Sequence, residues 1–288
     1  MNTAPVGIFD SGLGGLSVAL EVRSLLPSER IIHLADTAWC PYGGRPLEEI
    51  RARSIAAVSA LVGKGVKAVV VACNTASGAA LETLRAEFSL PIVGMEPAVK
   101  PAAEATRAGR IGVLATQATL RTERFARLCR TYAQDLEVVL QPGTGLVELV
   151  EEAHVRGEDA QHVLEALLAP VRDAGVDVLV LGCTHYPFLR DEIAAVMGPD
   201  VRIIDSGRAV AKQLERVLRE RDLLAPERTG SFRLLTSGDP RHVTEVAERL
   251  LGESVDVEGV GDLFELAQRV PSYQESSSGA ARSAGSRT

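Results

Sequence analysis

At 288 residues the chain has room for one large domain or two ordinary ones of roughly 150 residues each. Its 46% hydrophobic and 24% charged content is that of a globular protein, and with only 4% aromatics the core must come mainly from Val, Leu, Ile and Ala. The 38 acidic against 31 basic side chains leave a charge of −7, which excludes a basic field for nucleic acid or an anionic membrane. No run of about 18 apolar residues exists to span a bilayer.

Strand-like runs at Val6–Asp10, Arg30–Asp36, Lys67–Cys73, Pro91–Gly94, Arg110–Thr116, Glu137–Leu140, Val176–Cys183, Val201–Asp205 and Phe232–Ser237 alternate with helical periodicity. Leu47, Ile50, Ser54, Val58 and Leu61 mark one helix, with Pro46 in its first turn. Leu146, Leu149, Val150 and Ala153 mark a second, and Val210, Leu214, Val217 and Leu218 a third. Residues 68–72 and 176–181 are apolar at nearly every position, the pattern of strands buried on both faces of a parallel sheet. The fold class is therefore α/β. The strand ending at Cys73 and the strand ending at Cys183 share one layout, and Val6–Ser11 resembles Ile111–Thr116 at a similar offset. This repeat predicts two similar three-layer α/β domains with mainly parallel sheets, related by a pseudo-two-fold axis and facing each other across a cleft. The expected domains are 1–97 plus 206–270, and 98–205, with a disordered tail at 273–288 rich in Ser, Gly and Ala.

The N-terminus has no positively charged segment leading into an apolar stretch, so the expected location is the cytoplasm, with reduced cysteines. Cys40, Cys73, Cys129 and Cys183 form no C-x-x-C pair, and the short Cys183-x-His185 pair lacks further ligands, so no metal is expected. Cys129 reads as structural, as do His33, His154, His162 and His242.

Ligands of open α/β sheets bind beyond the C-terminal strand ends. Asp10-Ser11, Asp36, Cys73-Asn74-Thr75, Thr116 to Thr119 and Cys183-Thr184-His185 all fall there. The loop Asp10-Ser-Gly-Leu-Gly-Gly15, with Asp36 ending the next strand, is similar to a dinucleotide fingerprint, but Ser17 stands where the third glycine belongs. A small-ligand loop and a tight turn using glycine for its backbone angles remain open alternatives. The cysteines are more informative. Each ends a buried strand and precedes a helix, whose N-terminus would stabilise a thiolate and lower its pKa. Ser77 or Thr75 could cap the helix after Cys73, and Pro187 suits the first turn after His185. Two thiols facing each other across a cleft can remove a proton from one face of a stereocentre and return one to the other. Such racemisation needs no cofactor. On residues alone Asp10 and Asp36 can also be turn formers, and Glu151 a solvated helix position beside Glu152.

At these positions the chain resembles the glutamate racemases of the aspartate/glutamate racemase family. The segments are Gly7–Gly15, Asp36 with Pro41-Tyr-Gly43, Ala72–Ala76, Thr116-x-x-Thr119, Leu146–Glu151 and Gly182–Pro187, in order across Val6–Phe264. Related aspartate racemases carry Glu where His185 stands, which points to glutamate, with an aspartate or related amino-acid racemase as the alternative. The resemblance implies two α/β domains sharing a cleft, D-glutamate supply for peptidoglycan, no cofactor, and often a homodimer. It implies catalytic roles for Cys73, Cys183, Asp10 and His185, with Cys73 taking the α-proton of D-glutamate and Cys183 that of L-glutamate. Substrate binding would fall to Asp10, Ser11, Pro41, Tyr42, Gly43, Asn74, Thr75, Thr116, Thr119, Thr184 and His185, with Asp36 and Glu151 as further candidates. Cys40 is expected to pack. Asp10 lies close to the first residue, so activation by a peptidoglycan precursor, a property of members with an N-terminal extension, is not expected. A non-catalytic amino-acid receptor and a nicotinamide-dependent oxidoreductase are the rival classes.

Overall fold

The protein is described from a computed structural model covering residues 2–226 and 230–268, so the expected tail at 273–288 lies outside the described residues. In chain order the first half runs β1 (Val6–Asp10), α1 (Leu16–Leu25), β2 (Arg30–Ala35), α2 (Leu47–Gly63), β3 (Ala68–Val71), α3 (Asn74–Glu87), β4 (Ile92–Val93), α4 (Val99–Ala105), β5 (Arg110–Ala115), α5 (Gln117–Leu120) and α6 (Glu123–Tyr132). There follow β6 (Glu137–Pro142), α7 (Leu146–Glu151), α8 (Glu158–Asp173), β7 (Val178–Leu181), α9 (Arg190–Met197), β8 (Arg202–Ile204), α10 (Gly207–Glu220), β9 (Ser231–Thr236), α11 (Pro240–Leu251), β10 (Val257–Gly259) and α12 (Leu263–Gln268).

Every strand pairing is parallel. Among the described residues one sheet has the order β10-β9-β2-β1-β3-β4 and the other β6-β5-β7-β8. The second sheet repeats the central order of the first, with β5 taking the place of β1 and β7 that of β3. Even the register agrees: Gly7 sits opposite Val69 and Gly112 opposite Leu179. Both glycines let a helix approach the sheet closely, since a Cβ at Gly7 would lie 3.0 Å from Leu61 and one at Gly112 2.7 Å from Val171. β3 and β7 are buried at every position, as their unbroken apolar runs require, whereas β6 at a sheet edge is partly exposed.

Helices cover both faces of each sheet. Phe9, Ile50, Leu61 and Leu81 pack on one face of the first, while Ile8, Val22, Val70 and Leu214 pack on the other. The second sheet is sandwiched between Leu164, Leu168 and Ile193 on one side and Val99, Phe125 and Leu128 on the other. The chain thus completes its first sheet only after building its second, through β9 and β10. The short β10 escapes notice in the sequence, because three residues carry too little periodicity to read. The expected strands generally overrun the observed ones by one to three residues, at polar or turn-forming ends such as Asp36 and Cys183.

Candidate active site

β1, β3, β5 and β7 aim their C-terminal ends at one another, and the sequence candidates meet there. Asp10, at the end of β1, lies at the centre and is fully buried. Its Oδ1 accepts the Ser11 backbone N–H at 2.7 Å, and its Oδ2 accepts the Gly15 N–H and, at 3.1 Å, the hydroxyl of Thr184 beyond β7. Burial raises its pKa above the usual carboxylate value, although the charge of His185 pulls the other way.

Cys73 ends the β3 segment and is itself the N-cap of α3, its sulfur accepting the Ala76 N–H at 3.4 Å. This corrects the expected cap. Ser77 instead donates to Val71 O and accepts the Met95 N–H, and Thr75 turns its hydroxyl towards Thr116 at 3.0 Å and Thr119 at 3.3 Å. The expected lowering of the Cys73 pKa is also overturned: burial, reinforced by the neighbouring Asp10 charge, pushes the thiol well above its ordinary value and outweighs the helix N–H and Ser11. In the resting protein Cys73 is a protonated thiol, hydrogen-bonded to Asp10 and 3.5 Å from Ser11 Oγ.

Cys183 stands at the equivalent end of β7, 8% exposed against 5% for Cys73. His185 places Nδ1 3.6 Å from its sulfur and Nε2 2.6 Å from Glu151 Oε1 on α7. Burial alone would lower the His185 pKa, but hydrogen bonds to Cys183, Cys40 and Glu151 carry it well above 6.5. His185 is therefore held between a thiol and a carboxylate, with the Gly14 N–H also directed at its Nε2 at 3.2 Å. Pro187 lies in a 3-10 turn, Tyr186–Leu189, that precedes α9, rather than in the first α-helical turn. Glu151 does not face solvent like Glu152. Its carboxylate bridges His185 and the backbone N–H of Leu13 at 2.6 Å, joining the two sheets.

The glycines of this loop are not required by the turn angles considered in the sequence. None of Gly12, Gly14 and Gly15 has positive φ, so backbone angles do not demand them. Close approach does. A Cβ on Gly14 would lie 2.2 Å from His185 Nδ1, and one on Gly12 2.2 Å from Glu151 Oε1. The loop is the surface against which His185 and Glu151 pack.

Asp36 falls outside the reacting group. It is buried under Arg53, which clamps it at 2.6 and 2.8 Å, and it accepts the hydroxyls of Tyr42 and Ser237 at 2.6 Å each. Arg53 is roofed by the rings of Trp39 at 4.2 Å and Phe264 at 5.2 Å. Asp36 therefore secures the Pro41-Tyr42-Gly43 segment by holding Tyr42, and Gly43 abuts Thr116 across the cleft. Asn74 is buried with both side-chain amide atoms unpartnered, a costly state that a ligand's polar groups would relieve. The residues missed in the sequence are Arg53, hidden in a helix pattern, and Ser17, whose hydroxyl bridges to Thr184 O at 2.8 Å. Cys40 packs as expected, its pKa pushed up to about 12 chiefly by burial, yet it also touches His185.

The family described as Asp/Glu/Hydantoin racemase matches residues 17–214. The glutamate racemase of Herpetosiphon aurantiacus is 51% identical over 251 residues, covering 87% of this chain and 99% of that protein. The crystal structure of the Francisella tularensis glutamate racemase in complex with D-glutamate superposes with a TM-score of 0.80 at 30% identity, covering 92% of this chain and 100% of that one. The Escherichia coli glutamate racemase in complex with L-glutamate and the activator UDP-MurNAc-Ala also gives 0.80, at 32% identity over 90% of this chain and 98% of that one.

Proposed function

The chain belongs to the Asp/Glu/Hydantoin racemase family, and on that premise we propose that it interconverts L-glutamate and D-glutamate by two-thiol proton transfer at Cα, without a cofactor. The observation that carries this reading is the placement of Cys73 and Cys183 at equivalent ends of β3 and β7, joined through Asp10, which meets Cys73 on one side and Thr184 on the other.

In one direction Cys73 takes the α-proton of D-glutamate while the Cys183 S–H bond breaks to protonate the opposite face. In the other, Cys183 takes the proton of L-glutamate and Cys73 returns one. A thiol is a poor base, so whichever cysteine abstracts the α-proton must first lose its own while the other stays protonated. Asp10 stands beside Cys73 to receive it, and the His185–Glu151 pair serves Cys183. Fixed donors stabilise the charge that develops on the carbanion's carboxylate. Ser11, Asn74, Thr75, Thr184 and the Tyr42-Gly43 segment hold the substrate, with Thr116 and Thr119 closing the pocket from the second sheet.

Thiols this buried admit a substrate only if the sheets part. The Ser17–Thr184, Thr75–Thr116, Thr184–Asp10 and Leu13–Glu151 contacts are among those that must break. We take residues 1–97 with 206–270 and residues 98–205 as the two bodies that move. The product would serve peptidoglycan synthesis, in a cytoplasmic homodimer. No helix among the described residues is long and apolar enough to cross a membrane.

The test is incubation with L-glutamate in D2O. Deuterium should enter at Cα and optical activity should vanish, with aspartate exchanging far more slowly. Cys73→Ala and Cys183→Ala should each abolish turnover while leaving the fold intact. Tight glutamate binding without exchange, or turnover retained by either variant, would overturn the reading.

A further inference from the structure

Cys40, Glu151 and His185 come from three distant stretches of the chain, yet one ligand atom of each lies within 4.8 Å of the other two. Thiolate, imidazole and carboxylate are together the donor set preferred by a borderline-soft divalent cation, and three protein ligands with one open position is a common zinc arrangement. We propose that these three side chains form a zinc-binding site that switches the enzyme off when filled.

Three features support the assignment. The first is geometry. Ligand atoms around a tetrahedral zinc ion sit about 3.3 Å or more apart, so the 2.6 Å His185–Glu151 contact has to open by somewhat less than 1 Å, and the cluster's spread already spans that range. The second is access. Cys40 and Glu151 form part of the wall of a cavity of about 330 Å³, whose rim carries Glu148, Glu152 and Asp239. Such a negative mouth draws in a cation. The third is fit at the far side. A Cβ on Gly12 would come within 2.6 Å of Cys40 Sγ as well as against Glu151, so a glycine there keeps the space between the two ligands clear.

Binding replaces the Cys40 S–H bond with an S–Zn bond, and the Cys40 and His185 Nε2 protons leave to water. The ion then takes Nε2 and the Glu151 oxygen, ending the contact between them that positions His185 beside Cys183. The ion acts neither as cofactor nor as structural staple. It competes for the acid–base pair.

The site stands on its own geometry, whereas the inhibition rests on the catalytic reading above, so the test separates them. Cobalt(II) added to the reduced full-length protein should give one tight site per chain, with a thiolate-to-cobalt charge-transfer band. Cys40→Ala should remove that band and weaken binding by roughly 100-fold or more, beyond what loss of an outer hydrogen-bond partner costs, while Cys183→Ala should keep it. Zinc should inhibit glutamate racemisation reversibly, with chelator restoring the rate, and the inhibition of Cys40→Ala, measured against its own zinc-free rate, should need correspondingly more zinc. Absence of the band, or a band surviving in Cys40→Ala but lost in Cys183→Ala, would overturn the site. A Cys40-dependent band without any inhibition would overturn the switch.

Discussion

Arg53 offers the sharpest test of how the substrate segment is held. Its guanidinium and the Asp36 carboxylate are both fully buried, bound through two hydrogen bonds of 2.6 and 2.8 Å. Arg53→Met keeps much of the stem that packs under Trp39 and Phe264 but leaves a carboxylate stranded in the core. Breaking a buried pair from one side costs about 3–5 kcal/mol. At a urea dependence of about 3 kcal/mol per M, the midpoint for unfolding of the first sheet should fall by more than about 1 M. Asp36→Asn combined with Arg53→Met removes both charges, while the Asn oxygen still accepts from Tyr42. The double variant should therefore regain at least about 1 kcal/mol relative to Arg53→Met. Only the double variant replaces Tyr42's charged acceptor with a neutral one, so there the KM for glutamate should rise more than kcat falls. If Arg53→Met destabilises by less than about 1 kcal/mol, or if the double variant equals the sum of the singles, the charge pair is not what holds this segment.

Two further outcomes follow from burial and close approach. His33 is fully buried with neither ring nitrogen bonded, and desolvation lowers its pKa to about 3. The unfolded imidazole takes a proton near pH 6.5, so between that value and about 3 the unfolded state binds the extra proton. Stability is complete above 6.5 and falls by about 1.4 kcal/mol per pH unit below it. Denaturation at pH 6 and pH 4 should accordingly show His33→Leu losing about 2–3 kcal/mol less than the parent across that interval; equal losses would refute the assignment. Gly14→Ala drives a methyl into the His185 ring. Displacing that ring by about 1 Å should lower kcat by roughly 100-fold, while Gly44→Ala, with nothing within 4 Å, should leave it unchanged.

The sheets and the paired cysteines were legible because they depend on local chemistry. Residues 68–71 and 178–181 are apolar throughout since both faces are covered, and duplication places Cys73 and Cys183 at like positions without any knowledge of the fold. What lay beyond reach depends on neighbours remote in sequence. Gly12 and Gly14 look like turn glycines until Glu151 and His185 arrive from the other sheet. Glu151 reads as one of a solvated acidic pair until α7 turns it inward. Arg53 is one more cation in an amphipathic helix until Asp36 meets it.

The expected acidity of Cys73 fails for the same reason. A strand end followed by a helix suggests a stabilised thiolate, and the helix N–H does reach the Cys73 sulfur. Yet the sequence pattern that makes β3 a central strand also draws Cys73 out of water, and desolvation of the charged form outweighs one weak donor. Burial therefore favours the proton on the Cys73 sulfur. On the two-thiol reading proposed above, that proton would pass to the adjacent Asp10 before Cys73 acts as a base, and the same burial raises the Asp10 carboxyl, which favours its protonated form. Burial thus acts on both partners in one direction, holding the proton on the thiol and making the buried carboxyl a better proton acceptor than an exposed Asp would be.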